Sequence, residues 1–216
     1  GSIYDWVRDH RVHHKYTETD ADPHNAKRGF FFSHIGWLMC KKHPLVLEKG
    51  KTIDMSDVAN DKIVAFQRKH YYPLVLLCCF LIPTLLPYFL WSESVVNAFL
   101  IAGLIRWVIQ LHAIFLVNSA AHLWGRRPYD KNINPAENFI VSAIVGGEGF
   151  HNYHHVFPWD YRVSELGWLF NPTNTFIDAM AAIGWAYDLR TAKPEMVRMR
   201  KMKTGDIHEN GHYGYY

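Results

Sequence analysis

The chain has 216 residues, enough for one ordinary domain. Apolar residues make up 49% and charged residues 20%, which excludes intrinsic disorder, a state that needs low hydrophobicity and high charge. A net charge of +3, from 23 Lys+Arg against 20 Asp+Glu, is too small a basic bias for a nucleic-acid binder, so no nucleic-acid partner is expected.

The chain opens Gly1-Ser2, without Met, and runs straight into a dense motif from Trp6 to His14, as a fragment or truncated chain would. No signal peptide or organelle presequence is visible. Ile3–Tyr16 reads as a helix, followed by an irregular stretch from Thr17 to Pro23. Between Lys49 and Lys69, Val58, Ile63, Val64 and Phe66 alternate with charges. That pattern predicts one amphipathic helix, lying either at a membrane interface or on an ordinary protein surface.

Tyr72–Trp91 is a 20-residue run with no charge, about the length that crosses a bilayer as a helix. Its three prolines, Pro73, Pro83 and Pro87, are of a kind that membrane helices tolerate, and aromatic residues stand at both ends. After Ser92-Glu93-Ser94 a second apolar run extends from Val95 to Ala121, interrupted by Arg106, Gln110 and His112. From Tyr71 to Ala121 the only cationic side chain is Arg106 and the only acid Glu93. A buried hairpin of a soluble protein is the competing reading; the charge distribution favours a membrane. With Lys and Arg on both outer flanks, both flanks are expected in the cytosol, with a short lumenal turn. The predicted fold is therefore all-α. Cytosolic segments 1–70 and 122–200 flank a transmembrane hairpin, 71–121, and a Gly/His/Tyr-rich tail, 201–216, is expected to be disordered. Three cysteines, Cys40, Cys78 and Cys79, are too few and oddly numbered for a disulfide framework, which points to a reducing compartment.

The chemistry lies in the 14 histidines. His10, His13 and His14 form one HxxHH, and His151, His154 and His155 form another. Positions i, i+3 and i+4 share a helical face, so each motif projects three imidazoles in one direction. At this composition about 0.06 such motifs are expected by chance, so two are a strong signal. Asn118 and His122 form a further i, i+4 pair at the end of the second apolar run. Imidazole ligates iron, zinc and copper alike. Seven histidines exceed a tetrahedral zinc shell, and no cysteine is near either cluster, so two metals sharing a His-rich shell fit better than structural zinc; a hydrolytic zinc centre stays open. His24, His34, His43, His70, His208 and His212 read as surface or capping groups. His112 is either a hydrogen bonder to the ligand shell or a polar spot along an apolar tunnel.

Three stretches, WVRDHRVHHKYTETDADPHNAKRGFFFSHIGW, NSAAHLWGRRPYDKNINPAEN and GEGFHNYHHVFPWDYR, resemble the membrane-bound fatty acyl-CoA desaturase family, in particular insect-like stearoyl-CoA Δ9-type members. The resemblance runs to about Arg200, with the motifs in the family's order. It implies an endoplasmic-reticulum, multi-pass enzyme with four transmembrane helices, two of them present here, and a cytosolic helical cap. Such an enzyme introduces a cis double bond into an acyl-CoA at a di-iron centre, using O2 and electrons from cytochrome b5. By position, His10, His13, His14, His122, His151, His154 and His155 would ligate two iron ions, with Asn118 acting through a water. Arg8 and Asp9 match positions at the acyl-CoA head, and Lys41 and Lys42 a basic pair at its phosphates. Phe115 stands where the family often has Trp beside the acyl chain. The family's first box, HxxxxH, has no counterpart in this chain, since no two histidines are five apart. The resemblance thus implies a fragment, inactive alone, of an active parent. Two other readings are a His-box lipid hydroxylase and a non-catalytic truncated isoform.

Overall fold

The structure, a computed structural model, describes residues 1–166 and 171–206. Among these residues every regular element is helical, and β contacts are isolated bridges of Glu137 to Arg126 and Phe150. The all-α expectation holds. The chain divides into two compact units, Gly1–His112 and Ala113–Tyr216.

In the first unit, α1 (Ile3–Tyr16) matches the predicted span. Ser2 caps it, its Oγ accepting the Asp5 N–H at 3.2 Å, and the Thr17 hydroxyl closes the last turn on the His13 carbonyl at 2.6 Å. Fully buried Val12 faces inward, and α2 (Pro44–Gly50) contributes buried Val46. α3 (Lys62–Lys69) is tied to α1 where Gln67 accepts the Ile3 N–H at 3.1 Å and the Arg68 guanidinium lies 4.0 Å over the Tyr4 ring.

The single helix predicted over Lys49–Lys69 is broken. α2 ends at Gly50, a short turn covers Ser56–Ala59, and α3 starts only at Lys62. Two aspartates cause the break. Asp54 accepts the Ser56 N–H at 2.9 Å, and Asp61 accepts those of Ile63 and Val64 at 2.8 and 3.0 Å. Such local bonds give the backbone an alternative to continuous helix.

Two helices are long and apolar enough to cross a membrane, α4 (Tyr71–Trp91) and α5 (Val95–Leu123). Ser92 takes left-handed values (φ 58°, ψ 31°) to end α4, and Ser94 restarts the chain by accepting the Asn97 N–H at 3.1 Å. Only 11% of the most apolar window of each helix is buried, and Leu86, Phe89, Leu90, Ile101 and Ile109 stand outward. That is the reverse of a buried hairpin in a soluble domain, and it suits a lipid surround. Pro83 has no N–H to offer the Cys79 carbonyl one turn back. Arg106 supplies one instead: Nη2 donates to that carbonyl at 2.7 Å, Nε to the Ala102 carbonyl at 2.7 Å, and Nη1 to Gln110 Oε1 at 3.0 Å. The charged residue of the apolar run thus repairs a proline defect and clasps the hairpin. Buried Gly103 sits at the crossing, where Thr84 Oγ1 lies 3.4 Å from the position of a Cβ, in van der Waals contact.

In the second unit α5 is interrupted at Ser119, whose backbone is distorted within the right-handed helical region (φ −112°, ψ −75°). Its hydroxyl donates to the Phe115 carbonyl at 2.9 Å, a back-bond that bends helices. α6 (Phe139–Val145) is capped by Asn138, which accepts the Val141 N–H at 3.0 Å and donates to the Trp124 carbonyl at 3.1 Å. Gly146 and Gly147 then turn the chain with φ of +68° and +108°. A Cβ on Gly147 would fall 2.7 Å from the Asn171 side chain, so glycine is required. α7 (His151–Val156), α8 (Pro172–Ala182) and α9 (Pro194–Thr204) follow. Tyr129, Tyr153, Phe157, Ala192 and Val197 form one core, and Ala120, Ala121 and Val141 another. The tail, 201–216, expected to be disordered, begins inside α9, which runs through Thr204; 207–216 lie outside the described residues.

Candidate metal centre

In the first unit the HxxHH of α1 places His10 and His14 together, Nε2 to Nε2 at 3.0 Å, with Trp6 stacked on His10. His13 is buried and set apart, its Nδ1 2.8 Å from Asp22 Oδ1. Asp22 also accepts the N–H groups of Glu18 and His24 at 2.7 and 2.9 Å. Burial raises its carboxyl, but the hydrogen bonds from His13 and the two backbone groups outweigh burial and hold it below the usual range. An ionised carboxylate at Nδ1 fixes that proton and aims Nε2 away from Asp22, the second-shell arrangement of metal-ligating histidine.

His24, read as a surface or capping group, is neither. It packs edge-on against Trp37 at 4.3 Å and near His13 at 5.6 Å, and burial pushes it down to about 4, so it is neutral at pH 7. His34 lies in an exposed pair, its Nε2 3.0 Å from Nδ1 of His112. The mid-helix His112 thus finds a partner within its own unit. His43 caps α2 as expected, accepting the Leu45 N–H at 3.3 Å, and His70 sits at the end of α3 against Phe66. His208 and His212 lie outside the described residues.

In the second unit α7 and the end of α5 bring His122, His151 and His155 together, their ligand nitrogens within 4.8 Å of one another. His122 Nε2 is 2.9 Å and His155 Nε2 3.0 Å from His151 Nε2. His122 and His151 are buried, and His154 stacks on His151 with ring centres 5.5 Å apart. Imidazole nitrogens packed this closely could hold a metal ion. Asn118 is the last residue of the straight part of α5, and the bend at Ser119 separates it from His122. Phe115 is buried one turn earlier.

Of the residues expected at a charged head group, Arg8, Asp9 and Lys42 form one cluster. Asp9 accepts Arg8 Nε and Nη2 at 3.1 and 3.0 Å and also pairs with Lys42. Lys41 and Lys42 line an open cleft with Arg28, Trp37 and His43.

A profile of the fatty acid desaturase family matches residues 1–170. The chain belongs to that family. It is 60% identical over 205 residues to an acyl-CoA Delta-9 desaturase of Acheta domesticus, covering 94% of this chain and 57% of the relative. An acyl-CoA Delta(11) desaturase of Trichoplusia ni is 58% identical over 202 residues, 93% of this chain and 58% of that protein. Acyl-CoA desaturase 3 of Mus musculus is 55% identical over 210 residues, 97% of this chain and 58% of that protein. The chain therefore spans less than two thirds of the length of these relatives.

Sequence reasoning found the histidines and missed what holds them. Asp22 lies inside the quoted word DADPHN, yet nothing in its spacing names His13 as its partner. Asn152 sits within the second HxxHH and Glu137 within NPAEN. Both are buried and bonded to loop or helix backbone that only the fold brings near.

Proposed function

We propose that this chain is the larger part of an oxygen-dependent acyl-CoA desaturase of the endoplasmic reticulum, with both flanks of its hairpin in the cytosol. In this reading two irons are held by His10, His13, His14, His122, His151, His154 and His155, with Asn118 acting through a water. The substrate is a fatty acyl-CoA, and cytochrome b5 delivers electrons. The observation that carries the reading is the tight group of His122, His151 and His155, two of them buried, on a chain of this family. The donor set fits the group: all imidazole nitrogen, and oriented in the case of His13 by the Asp22 carboxylate.

Bound iron supplies the oxidative removal of two hydrogens from an unactivated carbon–carbon bond, which no side-chain acid or base can perform. The chain's own residues handle placement. Arg8, Lys41 and Lys42 hold the charged head of the substrate, with Asp9 keeping two of these cations extended until phosphate competes for them. Phe115 and its apolar neighbours line the acyl path and keep water from the reacting bond. Holding the head at one end sets which carbon pair reaches the metals, and we assign the bond to the Δ9 position, in keeping with the 60% identical relative.

The test is expression of the intact natural protein containing this chain in desaturase-deficient yeast, with fatty-acid profiling and double-bond location by mass spectrometry. A Δ9 monoene that vanishes in His151→Ala supports the reading. A product that gains one oxygen identifies a hydroxylase instead, and unchanged product in His151→Ala removes the metal role.

A further inference from the structure

The second HxxHH contains two side chains that the metal reading does not use. Tyr153 and Asn152 lie between the ligating positions, and both are fully buried. At 100° per residue the three histidines of α7 cluster on one face, Tyr153 points opposite, and Asn152 stands to the side. Tyr153 packs into the core with Tyr129 and Phe157, and its hydroxyl donates to Asp160 at 2.7 Å. That fixes depth. Rotation about the helix axis needs a lateral restraint, and Asn152 supplies it. Its Oδ1 accepts the N–H groups of Tyr129 and Asp130 at 2.9 and 3.1 Å, and its Nδ2 donates to the carbonyls of Asp130 and Pro135 at 3.0 and 2.9 Å. Two donors and two acceptances exhaust an amide side chain.

All four partners belong to one loop, which α9 grips from behind. Arg200 pairs with Asp130, the Thr204 hydroxyl donates to the Tyr129 carbonyl at 2.8 Å, and the Lys131 N–H donates to the Thr204 carbonyl at 2.8 Å. At the start of α7 the buried Glu137 carboxyl group accepts the Tyr153 N–H at 2.7 Å. A helix of 6 residues cannot hold itself, so its bearing comes from these bonds. A rotation of about 20° moves a nitrogen some 6 Å off the axis by about 2 Å, ten times the tolerance of a metal–ligand bond.

We propose that Asn152, supported by Glu137, is the positioning residue that sets the pose of His151, His154 and His155 for metal. This rests on the metal reading given above.

The experiment uses the intact natural protein, purified, with cobalt(II) as the probe. The variants are Asn152→Ala, Glu137→Ala, Glu137→Gln, His151→Ala and, as a stability control outside the site, Arg106→Ala, which loses the hairpin clasp. Each is measured for thermal midpoint, cobalt affinity per folded molecule, and the cobalt ligand-field spectrum. The expected result is a loss of about tenfold or more in affinity with an altered spectrum for Asn152→Ala and Glu137→Ala. Glu137→Gln, which keeps an acceptor, recovers most of it, and Arg106→Ala lowers the midpoint alone. Should Asn152→Ala prove unfolded, the Glu137 pair carries the same comparison. The proposal is overturned if Asn152→Ala and Glu137→Ala shift only the midpoint, as Arg106→Ala does, while His151→Ala abolishes binding. If His151→Ala also binds cobalt normally, the metal reading itself falls.

Discussion

The carboxylate of Asp22 receives the Nδ1–H of His13 at 2.8 Å, with both side chains shut off from solvent. Nothing on α1 itself chooses which His13 nitrogen faces a metal, because the i, i+3, i+4 spacing fixes only direction. Asp22 chooses it, and at the same time closes its own turn through the N–H groups of Glu18 and His24.

Asp22→Asn keeps one oxygen to accept from His13 and the His24 N–H, while its NH2 faces the Glu18 N–H, so the variant is expected to fold with some loss of stability. It loses the charge that raises ligand basicity, and metal affinity falls about 10- to 100-fold. Metal titration of the folded variant in the intact protein checks this; an unchanged affinity contradicts it.

Arg106 and Cys79 make a second checkable pair. Arg106→Ala removes the side-chain donor to the Cys79 carbonyl, close to Pro83. Pro83→Ala restores an N–H one turn on. The double variant is therefore expected to be more stable than the sum of the single changes, by about 0.6 to 1.7 kcal/mol. Thermal unfolding in detergent of the four proteins measures the coupling, and strict additivity would show that Arg106 does not serve that carbonyl.

The Arg11–Asp57 pair yields a pH prediction. Arg11 donates to both Asp57 oxygens, at 2.9 and 2.6 Å, and this bonding holds the Asp57 carboxyl at about 2. A carboxyl depressed in the folded state contributes stability above its unfolded value near 4, and that contribution is lost as pH falls from there toward 2. The pair is exposed, so its worth is under about 1 kcal/mol and shrinks with salt. Asp57→Asn should remove the pH dependence of unfolding that this pair adds between pH 4 and 2. Parallel pH curves for the two proteins would count against it.

Much of this arrangement was legible in the sequence. Ile3–Tyr16 read as a helix and is α1, long uncharged runs marked α4 and α5, and the two HxxHH words marked the imidazoles. What escaped was either too local or too distant for pattern reading. The break after Gly50 comes from Asp54 and Asp61 turning onto nearby backbone, a choice that helix periodicity does not register. The bend at Ser119 rests on one hydroxyl back-bond. The partners of Asn152 lie 17 to 23 residues away, on a loop that the sequence marks only as a loop.

The central claim is that these histidines hold a pair of irons. Metal analysis of the intact natural protein, purified without added chelator, tests it most directly. The account predicts two irons per chain, with a marked loss in His13→Ala and in His151→Ala while both variants stay folded. Iron absent from active protein, or a stoichiometry indifferent to both substitutions, would contradict it.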